Sequence, residues 1–411
     1  MDDGPGPIDD RATLLPMRIQ LKPGLPRLRR GPSTVQIGLD PRHGTLVDGL
    51  TDADLALLTD LATGVDDSRL ALPTDAGPHR VAGLAQLLRA RMLVSLLGDT
   101  GVLQRSTSGR AALVHLAGSR PRLAPDAAAW SILHPDSGDG WELLAHRRRA
   151  TVELRGGGRT ALVLAGTLAA AGIGTIHAVA GDAVAAADAG PGGALPVDVG
   201  HPVAQVVGRI VARTTGRAPL PDDQSVTAAP APGPAPTPDL VVVVERGAAD
   251  PTHGDRLLAA DVPHLSVVVR ETSVVVGPLV VPGRSACLRC LDLHRTEHDP
   301  QWPLVLAQLL QPDAARLPQE ETAVAQVAAG VAALQVLGHL DGRGTPASVG
   351  ATLEVELPDG LVGRRPWPAH PSCGCSWPLA PPPPAATPTA TRGRSQAQDG
   401  RGGPPTTTML R

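Results

Sequence analysis

The residues with the clearest chemical potential are the four cysteines, which fall into two close pairs. Cys287 and Cys290 form a CxxC motif, and Cys373 and Cys375 form a CxC motif downstream. Four thiolates in two pairs are the ligand set of a tetrahedral structural zinc site. Redox chemistry at the CxxC motif and metal-free buried thiols are the alternatives. We predict one structural zinc and keep His370 as an alternative ligand, because the second pair is unusually short.

A glycine-rich turn is the second candidate site. Gly156, Gly157 and Gly158 begin a GxGxxA pattern that Ala161 completes, after a predicted strand and before a predicted helix. Glycines let the backbone turn tightly and let a phosphate reach the free N–H groups of the helix. Asp182 follows the next predicted strand and is the acidic residue expected to bind a ribose. A strand–helix turn without a ligand has the same pattern, so nucleotide binding is a hypothesis.

The other polar candidates give weaker signals. His177 falls within an apolar strand, where a hydrogen-bonded core histidine is more common than a catalytic base. Four polar residues follow the first cysteine pair at helical spacing: Asp292, His294, Glu297 and His298. We interpret them as a solvated helix face, with a second metal site as the less favoured alternative. The catalytic residues stay unassigned.

The elements that must position these residues predict an α/β fold. Strand, glycine turn, helix and strand over residues 152–179 make one βαβ unit, the signature of a parallel sheet. Continuous apolar runs at 240–244 and 265–269 are typical of buried parallel strands. Two short strands are expected at 274–276 and 279–281. The sequence thus predicts a Rossmann-like domain with a mostly parallel sheet.

Upstream of this domain, the pattern predicts a small α+β unit resembling a winged helix. Strands are expected at 35–39 and 44–47, and helices after Thr51 and over 81–97. Thr51 and Asp54 have the spacing of a capping box.

Composition places the remaining boundaries. The chain has 411 residues, 42% of them hydrophobic, which is long enough for two domains. We expect the following division: 1–16 disordered, 17–97 the small unit, 98–150 a connecting segment, 151–377 the Rossmann-like domain with its zinc site, and 378–411 a disordered tail. Phe, Tyr and Asn are absent and Lys22 is the only lysine, which indicates a GC-rich genome.

Charge and hydropathy exclude several classes of partner. The formal net charge of −3 argues against nucleic-acid binding. The N-terminus is acidic, unlike a signal peptide, and the longest apolar stretch (324–340) contains polar residues that indicate a buried helix instead of a membrane span. We therefore expect a cytoplasmic protein without nucleic-acid or membrane partners, where reduced cysteines favour a metal over disulfides.

Two segments resemble the ThiF/MoeB/HesA family, relatives of the ubiquitin-activating enzymes. Residues 282–291, PGRSACLRCL, resemble the family's PG-x-x-x-CxxCL segment, and residues 169–176, AAAGIGTI, match its AAAGVGTI segment. The resemblance covers residues 150–377. It implies a ThiF-type domain that binds ATP and Mg²⁺ and adenylates the C-terminal carboxylate of a small protein or peptide. It also implies that a homodimer can form.

Three positions depart from the catalytic pattern of that family. No Asn-Arg-Gln segment occurs over 189–195, Val203 stands in place of a lysine, and Glu245-Arg246-Gly247 stands in place of Thr-Asp-Asn with its magnesium-binding aspartate. The family residues stabilise charge on the phosphates, which is the main catalytic need. Arg209 or Arg246 could replace the missing cations.

The small unit resembles the peptide-recognition element of thiazole/oxazole-peptide cyclodehydratase partner proteins. Such elements bind a leader peptide as an added strand, here at the edge expected at residues 35–39. The sequence therefore predicts a catalytically weakened scaffold that binds a leader peptide or small protein. The alternative is an active ATP-dependent adenylyltransferase. A nicotinamide-dependent dehydrogenase fits the glycine turn but leaves the cysteines unexplained.

Overall fold

The chain divides into two compact units between Ala145 and His146, and the last residues of the chain belong to the first unit. This computed structural model describes residues 18–71, 81–106, 116–135, 139–179, 181–216, 237–311, 320–375 and 406–409. The predicted disordered segment 1–16 and most of the predicted disordered tail lie outside the described residues.

The first unit contains two small antiparallel sheets and several helices. Its elements are β1 (Arg18–Leu21), β2 (Arg27–Arg29), β3 (Val35–Ile37), β4 (Thr45–Asp48), α1 (Asp52–Thr63), β5 (Val65–Asp66), α2 (Val81–Asp99), β6 (Leu103–Ser106), α3 (Arg120–Leu133), the start of α4 (Trp141–Arg147) and the C-terminal strand β14 (Thr406–Met409). One sheet has the order β5-β1-β6, and the other has the order β14-β4-β3-β2.

The start of α1 confirms the predicted capping box. The hydroxyl of Thr51 accepts a hydrogen bond from the backbone N–H of Asp54, and the Asp54 carboxylate accepts one from the backbone N–H of Thr51. Arg89 of α2 donates to the same carboxylate at 2.9 Å. The capping residues therefore also link α1 to α2.

The edge expected at residues 35–39 is not an edge in the structure. Strand β3 pairs with β2 on one side and with β4 on the other. The arginine-rich β2 has no buried residue, so it lacks the apolar signal from which strands are predicted. Beyond β4 lies β14, antiparallel, with Thr406 opposite Asp48 and Met409 opposite Thr45. Part of the tail predicted to be disordered is thus a strand.

The segment 98–150 contains regular structure instead of a simple connection. Strand β6 pairs antiparallel with β1 along its whole length, and α3 follows it. A boundary at residue 97 would therefore separate two paired strands of one sheet.

The second unit is an α/β domain around one seven-stranded sheet. Its elements are β7 (Thr151–Arg155), α5 (Arg159–Ala170), β8 (Thr175–Val179), α6 (Val203–Thr215), β9 (Leu240–Arg246), α7 (Pro251–Ala259), β10 (His264–Val269), β11 (Ser273–Val280), α8 (Leu288–His298), α9 (Trp302–Leu309), α10 (Thr322–Asp341), β12 (Ala351–Glu356) and β13 (Val362–Pro366). The strand order is β13-β12-β11-β10-β9-β7-β8. The four strands β8, β7, β9 and β10 run parallel, and the rest are antiparallel, as the α/β prediction requires.

The long apolar helix α10 belongs to the core of this unit. Among the described residues it is the one helix long and apolar enough to cross a membrane. Four of its alanines, Ala328, Ala329, Ala332 and Ala333, are buried in the core, and the helix packs on α5 and β11. At its C-terminal end the carboxylate of Asp341 makes a two-pronged ion pair with Arg147, and both side chains are fully buried. The paired charges satisfy each other where water cannot.

The two short strands expected at 274–276 and 279–281 are one continuous strand, β11. Gly277 within it has φ +112°, and a Cβ there would lie 2.7 Å from the carbonyl oxygen of Ala351. Glycine is therefore needed here because β11 and β12 approach closely, and not because the chain turns.

Candidate functional site

The four cysteines converge at the N-terminal end of α8. Cys287 is the N-cap residue and Cys290 lies in the first turn. Cys287 Sγ lies 3.9 Å from Cys290 Sγ and 3.5 Å from Cys373 Sγ. Cys290 Sγ lies 3.3 Å from Cys375 Sγ, and all four sulfurs are within 4.8 Å of one another. Zn–S bonds of about 2.3 Å in a tetrahedron place sulfurs roughly 3.8 Å apart, so this donor set fits zinc.

The environment of the sulfurs opposes metal-free thiolates at two of these positions. Burial raises the pKa of Cys287, and it raises the pKa of Cys373 to about 11. Burial also opposes ionisation of Cys290, but backbone N–H groups, with that of His370 first, lower its pKa overall. The CxxC motif opens a helix, as it does in redox proteins, but the second pair at contact distance distinguishes this site from a two-cysteine redox centre.

His370 supports the cysteine cluster instead of joining it. Its Nδ1 accepts a hydrogen bond from the backbone N–H of Ser372 at 3.1 Å, so its proton lies on Nε2, which donates to Glu297 at 2.8 Å. Its backbone N–H donates to Cys290 Sγ at 3.3 Å. Both ring nitrogens are therefore used away from the sulfurs. Such contacts fix the loop that carries the second cysteine pair.

The polar residues that follow the first cysteine pair only partly form a solvated face. The structure brings His294 and Glu297 together with His370, within 4.8 Å of one another. Asp292 accepts hydrogen bonds from Arg295 and from the Trp302 indole. Hydrogen bonds to neighbouring elements thus account for most of this group.

The glycine turn lies between β7 and α5, as predicted. Gly156 has φ +96° and Gly158 has φ +92°. A Cβ at residue 156 would lie 2.0 Å from the carbonyl oxygen of Val244 in β9, so the close strand approach requires glycine. Ala161 is buried in the first turn of α5. Val203 packs against Gly157, which places an apolar side chain beside the turn.

His177 and Asp182 both lie at the sheet edge that β8 forms, His177 within the strand and Asp182 after it. Asp182 comes shortly after β8 and is exposed, and its carbonyl oxygen accepts a hydrogen bond from Val203. Its role on a ribose stays a prediction. His177 is exposed on β8, which is the edge strand, so its assignment as a core histidine is wrong.

Successive side chains of a strand point to opposite faces of the sheet, so Glu245 and Arg246 at the end of β9 lie on different faces. Glu245 accepts hydrogen bonds from the backbone of Asp250 and from His253, and burial raises the pKa of Glu245. Arg246 points to the opposite face, where its Nη2 lies 3.4 Å from Asp188 Oδ1 and 3.8 Å from Glu320 Oε1. Of the two cations considered from the sequence, Arg246 is therefore at the glycine turn, whereas Arg209 pairs with Asp198 at 3.3 Å.

Three residues at this turn were missed in the sequence. Arg159, directly after the glycines, reaches the carbonyl oxygen of Ala187 at 2.5 Å and that of Glu320 at 2.9 Å. Asp188 and Glu320 complete the charged group, although Glu320 lies 160 residues from Thr160, to which it bonds. The position of Arg159 next to the glycines was a signal that could have identified it. No local sequence pattern indicates that Asp188 and Glu320 lie at this turn.

Comparison with known proteins gives information about the fold. No protein-family model matches the sequence, and no curated protein matches it. E. coli MccB determined with ATP superimposes with a TM-score of 0.56 at 16% identity, over 88% of this chain and 100% of that chain. PaaA gives a TM-score of 0.58 at 14% identity, over 84% of this chain and 98% of that chain.

The chain has the fold of MccB and PaaA. Both are proteins of the ThiF/MoeB-like adenylyltransferase fold. A further structure, the microcin C7 biosynthetic enzyme MccB with N-formylated MccA, gives a TM-score of 0.55 at 17% identity, over 87% of this chain and 99% of that chain. The family resemblance expected from the sequence is thus supported at the level of the fold, and this MccB-like fold contains the glycine turn and the cysteine cluster.

Proposed function

We propose that this protein is a peptide-binding scaffold of the ThiF-type fold in which adenylation is strongly weakened. The observation that carries the proposal is the charge at the glycine turn. Two acids, Asp188 and Glu320, face Arg246 there, and Val203 packs where the resemblance expects a lysine. A transferring phosphate needs cations that are free to meet developing negative charge. Here the nearest guanidinium is already paired with carboxylates.

The peptide partner is supported by two observations of different kinds. MccB, which has this fold, has been crystallised with the peptide MccA. In the first unit, the outer edge of β4 accepts an extended segment as an added strand, since β14 pairs there over four residues. Strand addition recognises a peptide mainly through backbone hydrogen bonds, so the same edge suits a leader peptide.

The zinc has a structural role in this proposal. Four sulfurs fill a tetrahedral coordination sphere and leave no position for a substrate. Cys287 and Cys290 lie on α8, and Cys373 and Cys375 follow the last strand of the sheet, so the metal would tie these segments together.

The alternative function, an active ATP-dependent adenylyltransferase with Mg²⁺, is favoured by two observations. Arg159 and Arg246 both lie at the glycine turn, and MccB has been crystallised with ATP. In a lysine-poor protein, arginines could carry the charge that lysine supplies elsewhere.

ATP–pyrophosphate exchange with peptides that end in a free carboxylate distinguishes the two functions. We expect no measurable exchange, because losing one charge-stabilising donor costs roughly 10²–10³ in rate and several family donors are replaced. Robust exchange that is lost in Arg246→Ala and kept in Arg256→Ala, an exposed arginine of α7, would establish the enzyme instead.

A further inference from the structure

A buried carboxylate lies where the N-terminus of α5 is expected to meet a phosphate. Glu320 precedes α10, and its side chain is only 3% exposed. Its Oε2 accepts a hydrogen bond of 2.5 Å from the backbone N–H of Thr160, in the first turn of α5. Free N–H groups and the dipole at a helix N-terminus attract anions, so this contact uses the anion-binding property of the turn internally.

The same carboxylate covers the last glycine of the turn. A Cβ at Gly158 would lie 2.0 Å from Glu320 Oε1 and 3.1 Å from Arg246 Nη2. A carboxylate oxygen and a guanidinium therefore both converge on the surface of this glycine. A phosphate oxygen would need the same space, and two anions of like charge cannot share it.

The fit of the carboxylate is incomplete. Glu320 Oε1 is buried and has no hydrogen-bond partner among the described residues, and the Arg246 guanidinium is 3.8 Å away. The hydroxyl of Thr160 is also buried, and no described residue forms a hydrogen bond with it. Unsatisfied buried polar atoms are costly, and a purely structural ion cluster would be expected to satisfy them. A larger anion with more acceptor oxygens would use these groups better.

We propose that Glu320 is an internal anion that occupies the phosphate position of the glycine turn and must leave before a nucleotide binds. This inference rests on the nucleotide site predicted at the glycine turn and names its regulation. Arg159 positions the segment, because its guanidinium donates to the carbonyl oxygen of Glu320 and to the hydroxyl of Thr322. When Glu320 withdraws, the Thr160 N–H becomes available to the diphosphate group of the ligand, and Arg246 retains Asp188 as its carboxylate partner.

The test is calorimetric titration of the full chain with pyrophosphate and, separately, with ATP. The variants are Glu320→Ala, which removes the occupant, and Glu320→Gln, which removes only its charge. The matched control is Glu321→Gln, because Glu321 is exposed and caps α10 through the N–H of Val324. We expect Glu320→Ala to bind both ligands roughly ten- to hundredfold more tightly than the unaltered chain, as expected for one charge-assisted hydrogen bond released. The affinity of Glu320→Gln should lie between those of Glu320→Ala and the unaltered chain. Glu321→Gln should bind both ligands with the affinity of the unaltered chain.

Thermal unfolding keeps the test interpretable if Glu320→Ala is less stable. Pyrophosphate should raise its Tm more than that of the unaltered chain, since the ligand replaces the missing anion. If all four proteins bind the ligands with equal affinity, Glu320 does not need to be displaced, but the nucleotide site is still supported. Absence of binding in every protein, including Glu320→Ala, would overturn both the displacement and the nucleotide site.

Discussion

At the scale of single residues, the two candidate sites differ in how their polar atoms are satisfied. The cysteine cluster places four sulfurs at distances that suit a tetrahedral metal, with His370 and Glu297 hydrogen-bonded beside them. The glycine turn holds paired charges of both signs, and one oxygen of Glu320 has no hydrogen-bond partner in the part of the chain that the structure describes. A closed and supported set of ligands is typical of structural metal sites, whereas an imperfectly satisfied anion position is typical of sites that exchange their occupant.

The first prediction concerns zinc at the residue scale. We expect about one equivalent of zinc per purified untagged chain, because one four-cysteine cluster is present. Cys290→Ser should lose most of the metal and lower the Tm of the second unit, since metal binding contributes folding free energy. Metal analysis and thermal unfolding measure both effects.

Glu297→Gln provides a graded comparison for this prediction. It keeps the shape of the residue that accepts the His370 hydrogen bond, and it should weaken zinc binding less than Cys290→Ser does while leaving the stoichiometry near one at saturating metal. A folded, unaltered chain with four titratable thiols and less than about a tenth of an equivalent of zinc contradicts the assignment.

At the scale of elements, peptide binding by the first unit depends on which strand forms the edge of the sheet β14-β4-β3-β2. The chain's own segment Thr406–Met409 pairs with β4, so the edge available to a peptide already has an occupant. A segment of the same chain competes with an intramolecular effective concentration, which a free peptide must overcome. A peptide in solution would therefore bind far better after the tethered strand is removed.

The second prediction tests this competition at the element scale. A chain that ends at residue 401 should bind a synthetic peptide of residues 402–411, and the full chain should bind it at least about tenfold more weakly. Fluorescence anisotropy of the labelled peptide measures both affinities. Amide exchange in β4 should also become faster in the shortened chain, because its hydrogen-bond partner is lost.

Two substituted peptides serve as matched controls for register. In the antiparallel pair, Thr407 faces Val47 and Thr408 faces Leu46. Alternate residues of a strand direct their N–H groups to the partner, so proline should weaken binding at one of these two positions and much less at the other. Equal affinity of the full and the shortened chain for the unaltered peptide would show that β14 does not occupy a binding edge.

At the scale of the whole molecule, the chain consists of two units with separate cores. The buried apolar residues of the first unit include Ile19, Ile37, Leu61 and Leu97, and those of the second surround the seven-stranded sheet. The boundary lies at Ala145, beyond β6 and α3, and not at residue 97. Strand β6 pairs with every residue of β1, so a fragment that ends at residue 97 would lack one strand of this sheet.

The third prediction follows from that boundary. A fragment of residues 17–145 should unfold in one cooperative thermal transition, because it contains the paired β1, β5 and β6. A fragment of residues 17–97 should unfold at a lower temperature or without cooperativity, since β1 loses its neighbour β6. Circular dichroism during heating measures both. Equal Tm values for the two fragments would place the boundary back at residue 97.

The sequence by itself determined the features that depend on local pattern. The βαβ unit around the glycine turn, the capping box at Thr51 and the pairing of the cysteines all follow from residue types at short spacing, which backbone geometry and ligand chemistry constrain directly. The resemblance to the ThiF-type fold came from two such short segments, and the structure agrees with it at the level of the fold.

Only the tertiary structure decided which residues meet across long separations. Glu320 reaches the N-terminus of α5, and Thr406–Met409 reaches β4, although neither segment carries a local signal for its contact. His177 is exposed because β8 is an edge strand, and β3 is internal because β2 and β4 flank it. The position of a strand in its sheet, and the charge that a distant loop brings to a site, depend on how the whole chain packs, which periodicity along the sequence does not encode.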